Sequence, residues 1–347
     1  MKLIRVCIGV VLASLPFSVQ GQVLKGLPVV EAMTDYRTAG EAVAVDGARR
    51  IHLRCMGQGA PVVVFTAGLG SWSGSWAKVQ PEVAMTTRAC AWDRAGFGLS
   101  NGDPGTPQTI EATTHDLERA LAKAGVEGPY VMVGQSAGAH EVLTFTDRRP
   151  RDVAGVVLVD PVRPHDMARQ AAAGPRATAA DRAFYAGEVR RLRDCAAGVE
   201  AGAVKTGAPA EPCFQYYPEI PKPVQAALAR LDADPARLRT QASSYEEYEP
   251  NGERVVRDDR RYGDLPLIVL SAGSPGLWTD EAKDEHAALL ADWRDSHRSL
   301  ADLSKRGQVR VVKDSGHLVP YERPQAVIDA VRDVVKAARA ARPRPGR

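Results

Sequence analysis

A serine between two glycines is the pattern in this chain that points most directly to chemistry. Residues 134–138 have the sequence Gly-Gln-Ser-Ala-Gly, after an apolar run at 129–133 and before a helical pattern at 139–146. Where a strand turns sharply into a helix, side chains two residues either side of the turn would collide, and glycines remove them. The turn lifts the hydroxyl above the sheet edge, at the positive end of the helix. We therefore predict that Ser136 is a nucleophile.

The base for this nucleophile is predicted near the end of the chain. A serine hydroxyl becomes a good nucleophile only when a base, usually histidine, removes its proton. Of the seven histidines, His317 follows the last predicted strand, at 309–312, in the sequence Asp-Ser-Gly-His. A loop in that position reaches the same sheet edge as the nucleophile, and it comes late enough for the chain order nucleophile, acid, base. His317 is therefore the predicted base.

Two aspartates compete for the role of the acid that orients the imidazole and stabilises its positive charge. Asp160 ends the predicted strand 153–160, and Pro161 fixes the turn that follows. Asp280 comes after the next predicted strand, 265–270, which is the usual place for the acid. The sequence around it, however, is typical of a helix start, where an aspartate compensates the helix dipole. We favour Asp160 and keep Asp280 as the alternative.

The negative charge that develops on an attacked carbonyl oxygen needs hydrogen-bond donors. One predicted donor is the backbone amide of Ala137, directly after the nucleophile. The second is expected from the loop 66–71, which follows the predicted strand 61–65 and contains two glycines that let the backbone approach a substrate. Within that loop we assign the donor to the amide of Leu69.

Strands and helices alternate along most of the chain, which predicts a mostly parallel sheet covered on both faces. The exception, 163–261, lacks a strong buried strand and is interpreted as a helical lid over the carboxyl edge of the sheet. The core is then 22–162 with 262–341, a mobile lead-in occupies 22–42, and 342–347 is a flexible tail. The predicted strands are 50–55, 61–65, 89–92, 129–133, 153–160, 265–270 and 309–312, and the predicted helices include 109–124, 181–197, 224–231 and 325–341.

The first 21 residues differ in character from the rest of the chain. Lys2 and Arg5 precede an apolar stretch at 6–19 that is shorter than the roughly 20 residues of a membrane span. We interpret 1–21 as a cleaved signal peptide, so the mature protein is expected in the periplasm or outside the cell, without a stable membrane span. Its removal deletes two positive and no acidic charges, so the formal net charge falls from +3 to +1. That small charge argues against a nucleic-acid partner.

The cysteines fit an oxidising compartment. Four remain after removal of the leader, and an even number in an exported protein indicates two disulfides, with three possible connectivities. No close pairs of cysteine or histidine have zinc-ligand spacing, so a zinc site is not expected. The four cysteines are Cys55, Cys90, Cys195 and Cys213.

Taken together, these residues resemble the α/β-hydrolase superfamily. The resemblance runs from about 48 to 338, apart from the lid, and includes the sequence Asp-Arg-Ala-Gly-Phe-Gly-Leu-Ser at 93–100, similar to a turn common in the superfamily that shapes the floor of the site. It implies an α/β fold with an eight-stranded, mostly parallel sheet, helices on both faces and a helical lid. The strand-end stretch 158–161 is similar to that of some lipases, which supports Asp160. The chain departs from the pattern at Ala67, where many members have histidine, and at Gln135, where histidine is frequent.

The resemblance also implies a disulfide pairing. The usual strand order of the superfamily places its second and fourth strands side by side, which would bring Cys55 to Cys90. Cys195 and Cys213 would then pair within the lid. The bond would close a short loop, a constraint worth about 3 kcal/mol in the chain-entropy model.

The expected function is that of an exported serine hydrolase that cleaves a carboxylic ester, or a related acyl bond, in a small-molecule substrate without a metal or organic cofactor. The scaffold also supports amide, peptide, lactone and carbon–carbon bond cleavage, and these remain alternatives. Epoxide hydrolase and haloalkane dehalogenase chemistry is disfavoured because those relatives have aspartate where this chain has Ser136. An alternative from another class is a non-catalytic protein that binds a ligand in the lidded pocket.

Overall fold

A computed structural model of the protein describes most of the chain after the predicted leader. The predicted signal peptide, the tail at 342–347 and the alternative acid Asp280 lie outside the described residues. The described residues are 28–38, 40–208, 211–214, 216–276 and 282–341.

An eight-stranded sheet forms the centre of the protein. Its strands are β1 Glu41–Asp46, β2 Arg49–Met56, β3 Val62–Thr66, β4 Ala89–Trp92, β5 Tyr130–Gln135, β6 Val153–Val159, β7 Leu267–Ala272 and β8 Gly307–Val312. They lie in the order β1-β2-β4-β3-β5-β6-β7-β8. β2 pairs antiparallel with both β1 and β4, and all other neighbouring strands are parallel. The predicted fold class, a mostly parallel eight-stranded sheet, is confirmed.

Helices cover both faces of the sheet because the central strands are apolar on both sides. Along β3, Val64 packs in one core with Leu117 and Val142, and Val63 packs in a second core with Val331. The helices are Ile110–Lys123, Gly138–Arg148 and His286–Ala301 on the Val64 face, and Gln80–Ala84 and Pro324–Ala341 on the Val63 face.

Between β6 and β7 the chain forms a helical insertion within the region 163–261. Its role as a lid and its boundaries stay predictions. Its α-helices are Asp166–Ala173, Pro175–Glu200, Lys222–Asp232, Pro235–Glu246 and Tyr248–Arg254, with a 3-10 helix at Pro212–Phe214. Among all helices of the described residues, none combines the length and the apolar character that a membrane crossing requires.

The segment that precedes β2 is more ordered than the sequence predicts. A 3-10 helix at Glu31–Arg37 buries Met33 and Tyr36, and the Tyr36 hydroxyl donates to Gln80 Oε1 at 2.7 Å. Strand β1 follows at Glu41–Asp46. The expectation of a mobile lead-in at 22–42 is wrong for these residues, because contacts with distant elements bury side chains that show no local periodicity.

Two pairs of cysteines lie at disulfide distance, and they are the pairs implied by the resemblance. Cys55 and Cys90 face each other in the β2–β4 register, with 2.02 Å between their sulfur atoms. Cys195, in the Pro175–Glu200 helix, lies 2.05 Å from the sulfur of Cys213. The first bond joins two core strands, and the second joins two parts of the helical insertion.

Candidate active site

Ser136 lies on the tight turn between β5 and the Gly138–Arg148 helix. Its φ is 52°, in the left-handed region that side chains other than glycine rarely adopt. A Cβ at Gly134 would lie 2.5 Å from the Gly138 carbonyl oxygen, and a Cβ at Gly138 would lie 2.6 Å from that of Thr66. Both positions therefore require glycine, for the steric reason that the sequence indicates.

The structure places His317 and Asp160 beside each other at the same edge of the sheet. His317 lies in the loop after β8, and its Nδ1 is 2.7 Å from Asp160 Oδ2. Asp160 is fully buried, directly after β6, and its Oδ1 accepts hydrogen bonds from the Ala272 amide at 2.9 Å and from Trp293 Nε1 at 3.0 Å. These donors fix the carboxylate, and the carboxylate in turn fixes the imidazole ring.

The environment of Asp160 keeps its carboxyl ionised. Burial alone would raise its pKa, but the hydrogen bond and charge of His317, with the Ala272 amide, hold the pKa below its ordinary value. An ionised carboxylate only accepts hydrogen bonds, so the shared proton resides on Nδ1 of His317. In the neutral imidazole, Nε2 is then the nitrogen without a proton, which is the form that a base requires.

The side chain of Gln135 contacts His317 on the side of Nε2. Gln135 Nε2 lies 3.4 Å from His317 Nε2 and 3.3 Å from the His317 carbonyl oxygen. Within the described part of the chain, no hydrogen bond joins Ser136 Oγ to His317. Such bonds often form only when substrate binds. Sequence reasoning noted Gln135 as a departure from the superfamily but did not predict this contact.

The two amides predicted to bind an oxyanion lie beside Ser136 without internal partners. Among the described residues, neither the Leu69 amide nor the Ala137 amide donates to a backbone or side-chain acceptor. A Cβ at Gly68 would lie 2.5 Å from Gln135 Oε1 and 3.3 Å from the Ser136 Cβ, so the Leu69 loop runs directly against the turn. Both donors are therefore available to a substrate oxygen at Ser136.

A buried ion pair, missed by the sequence analysis, supports the Leu69 loop from behind. Arg94 Nε is 2.5 Å from Glu141 Oε1, and Arg94 Nη2 is 2.9 Å from Glu141 Oε2. The same guanidinium donates to the carbonyl oxygens of Ala67 at 2.8 Å and Gly68 at 3.0 Å. The signal for this contact was Arg94 in the turn at 93–100, but nothing in the sequence pairs it with Glu141.

Ser136 and His317 open into a cavity of about 160 Å³ beneath the helical insertion. Leu69, Gln135 and Trp293 line the part near the turn. About half of the remaining wall is aromatic or acidic. These aromatic and acidic side chains are Phe184, Tyr185, Tyr217, Tyr248, Tyr321, Asp166, Asp181 and Glu219. The cavity can therefore hold a small molecule against Ser136.

Comparison with known proteins places this fold in a family. A family model described as the alpha/beta hydrolase family matches residues 63–330. The chain belongs to the alpha/beta hydrolase family. One relative of this hydrolase is the uncharacterized protein YqjL of Bacillus subtilis (strain 168), 23% identical over 282 residues that cover 81% of this chain and 86% of the relative. Family membership makes the protein a hydrolytic enzyme that acts on a small molecule.

Solved structures of hydrolases share the fold. A thermophilic esterase from Thermogutta terrifontis, with malate bound, is 21% identical, with a TM-score of 0.56 over 87% of this chain and 98% of the esterase. A putative ancestral haloalkane dehalogenase is 19% identical, with a TM-score of 0.64 over 88% of this chain and 100% of the dehalogenase. At these identities the likeness concerns the fold and does not select between the two chemistries.

The steric requirement at the turn predicts the effect of Gly138→Ala. The new Cβ would meet the carbonyl oxygens of Thr66 at 2.6 Å and Ala67 at 2.7 Å, so the helix and β3 must separate. We expect a stability loss of about 1–3 kcal/mol in urea denaturation and at least a tenfold loss in kcat/KM. The matched control is Gly187→Ala, where a Cβ meets no atom within 4 Å; it should stabilise the Pro175–Glu200 helix by about 0.5–1 kcal/mol. Equal effects of the two substitutions would contradict this explanation.

The ion pair behind the Leu69 loop predicts a separation of stability from activity. Arg94→Met leaves Glu141 buried without its partner, and we expect a loss of about 3–5 kcal/mol in unfolding free energy. The double variant with Glu141→Leu removes the stranded charge and should recover most of that stability. It should nevertheless keep a low kcat with a nearly normal KM, because the carbonyls of Ala67 and Gly68 lose their donor. Recovery of kcat along with stability would show that the pair has only a structural role.

Proposed function

We propose that this protein is an exported serine hydrolase that cleaves a carboxylic ester through an acyl-enzyme. The observation that carries the proposal is the position of Ser136 on a strained turn, in the same cavity as His317, whose Nδ1 is held 2.7 Å from Asp160. Acyl transfer by a serine requires a nucleophile, a base that takes its proton and an acid that orients the base.

Each group then has a defined part in the reaction. His317 Nε2 takes the proton of Ser136 as its hydroxyl attacks the carbonyl carbon, and Asp160 stabilises the imidazolium that forms. The Leu69 and Ala137 amides bind the oxyanion. His317 returns the proton to the leaving alcohol, and then activates a water that releases the acid and restores Ser136.

The export part of the proposal rests on the cysteines. Cytosolic thiols are kept reduced, so two structural disulfides favour an oxidising compartment. The interpretation of 1–21 as a signal peptide agrees with this compartment. Purification of the mature protein from periplasm or medium, with its first residue identified by mass spectrometry, tests this part.

The proposed nucleophile can be tested by covalent labelling. A fluorophosphonate should modify Ser136 at one equivalent per chain, and Ser136→Ala should lose both labelling and turnover of p-nitrophenyl butyrate. Ser299→Ala, at an exposed serine on the His286–Ala301 helix, is the matched control and should keep both. Ester turnover retained in Ser136→Ala would refute the mechanism.

The proposed role of Asp160 predicts that its substitution lowers kcat and leaves KM nearly unchanged. Asp160→Asn keeps the shape of the side chain but removes the charge that selects the Nδ1–H tautomer, so we expect kcat to fall by a factor on the order of 10⁴ with little change in KM. Because the pKa of Asp160 is lowered in the folded state, its ionised form stabilises the protein above pH 3.8, the ordinary value. The stability advantage of the wild type should therefore shrink as the pH falls below that value. A loss of less than tenfold in kcat would assign the acid elsewhere, with Asp280 as the next candidate.

A further inference from the structure

The cavity that contains Ser136 has an unbalanced charge. Three carboxyl side chains line it, Asp166, Asp181 and Glu219, whereas no lysine or arginine does so among the residues described. The charge of Arg163 lowers the pKa of Asp166, but Arg163 is not part of the lining. A ligand that complements this cavity carries positive charge.

Of these three carboxyls, Glu219 is the one with a buried oxygen that has no hydrogen-bond partner among the described residues. It is 2% exposed, and in the described part of the chain its Oε2 has no hydrogen-bond partner. Its backbone is fixed, because the Glu219 carbonyl oxygen accepts from the Val30 amide at 2.8 Å. A buried acceptor without a donor is costly, so its retention beside a cavity suits a ligand that brings an N–H group.

The other two carboxyls add to the negative character of the cavity. Burial, together with the charges of Asp181 and Asp292, raises the pKa of Asp166 to about 7, and burial raises the pKa of Asp181 to about 6. Their contacts are weak or neutral: Tyr248 Oη lies 3.5 Å from Asp166 Oδ2, and the Gln170 amide donates to Asp181. A cation that enters the cavity would therefore favour their ionised forms.

Aromatic rings supply the rest of a cation-binding surface. The ring of Tyr185 lies 4.7 Å from that of Tyr248 and 5.5 Å from that of Phe184, and all three line the cavity. Tyr217 and Tyr321 lie near Glu219. Burial raises the pKa of both phenols, and the Glu219 charge contributes to the rise, after the larger effects of Tyr245 and Glu188 in the case of Tyr217. Ring faces attract cations electrostatically and also hold an alkyl chain.

We propose that this cavity selects substrates that carry an alkylammonium group, with an N–H of that group bound to the Glu219 carboxylate. The proposal rests on the proposed serine hydrolase activity and narrows it to esters of cationic acyl or alcohol groups. Asp166 and Asp181 attract the cation into the cavity, and the tyrosine rings surround its alkyl chain.

Matched esters test this selectivity. The p-nitrophenyl ester of 6-aminohexanoate differs from that of heptanoate only by a terminal ammonium in place of a methyl group, and the pairs 4-aminobutanoate with pentanoate and 8-aminooctanoate with nonanoate vary the reach. In the wild type, after subtraction of the uncatalysed rate, kcat/KM for the ammonium ester should exceed that for its partner at least tenfold for one chain length. Glu219→Gln should lower that ratio at least tenfold. Glu246→Gln, at an exposed glutamate outside the cavity, is the control and should leave the ratio unchanged.

A binding measurement separates this proposal from the proposed hydrolysis. Calorimetric titration of Ser136→Ala with n-hexylammonium and with 1-hexanol requires no turnover, and hexylammonium should bind at least tenfold more tightly. If no ester is cleaved but this difference is found, the hydrolase mechanism fails and the cation site stands. Equal binding of the two ligands, a wild-type ester ratio of one or less at every length, or a ratio unchanged in Glu219→Gln would overturn the proposal. The wild-type ratio and the titration decide the matter even if Glu219→Gln does not fold.

Discussion

The close approach of Gly138 to the carbonyl oxygens of Thr66 and Ala67 is the constraint on which the site depends. It allows the helix after Ser136 to begin against the end of β3, so that Ser136 and the Leu69 loop meet at one point. Since a side chain at Gly138 would push these segments apart, the backbone conformation at the turn and the position of the two proposed oxyanion donors are coupled. Arg94 then holds the same loop through the carbonyls of Ala67 and Gly68.

The buried charged groups on the two sides of Ser136 differ in how completely they are paired and hydrogen-bonded. Behind the turn, Arg94 pairs with Glu141, and Asp160 pairs with His317 and two neutral donors, so each buried charge has partners. In the cavity, Glu219 lacks a donor on one oxygen. A fully bonded network holds its groups rigidly, whereas a group with unmet bonding capacity is one that a ligand can satisfy. This contrast separates the groups that carry out the proposed reaction from those that select its substrate.

The fold divides these two tasks between different parts of the chain. The carboxyl ends of β3, β5, β6 and β8 supply the Leu69 loop, Ser136, Asp160 and His317. These strand ends form the edge where ligands bind in open α/β sheets. The helical insertion supplies Asp166, Asp181 and Glu219, and the Val30 amide anchors the backbone at Glu219. The acidic part of the cavity wall therefore comes from the insertion, whereas the groups of the proposed reaction come from the ends of the core strands.

The sequence alone determined the features that depend on local physics. The glycines on either side of Ser136 specified a tight turn in which larger side chains would collide. Apolar runs specified the buried strands, and the position of His317 after the last predicted strand specified the loop that carries it. Only the tertiary structure placed Asp160 Oδ2 against His317, paired Arg94 with Glu141, ordered Glu31–Arg37 and β1, and left Glu219 beside the cavity. The physical reason is that periodicity and backbone conformation are encoded within a few residues. A contact such as the one between Asp160 and Trp293 joins positions 133 residues apart, and it exists only once the sheet and its helices have packed.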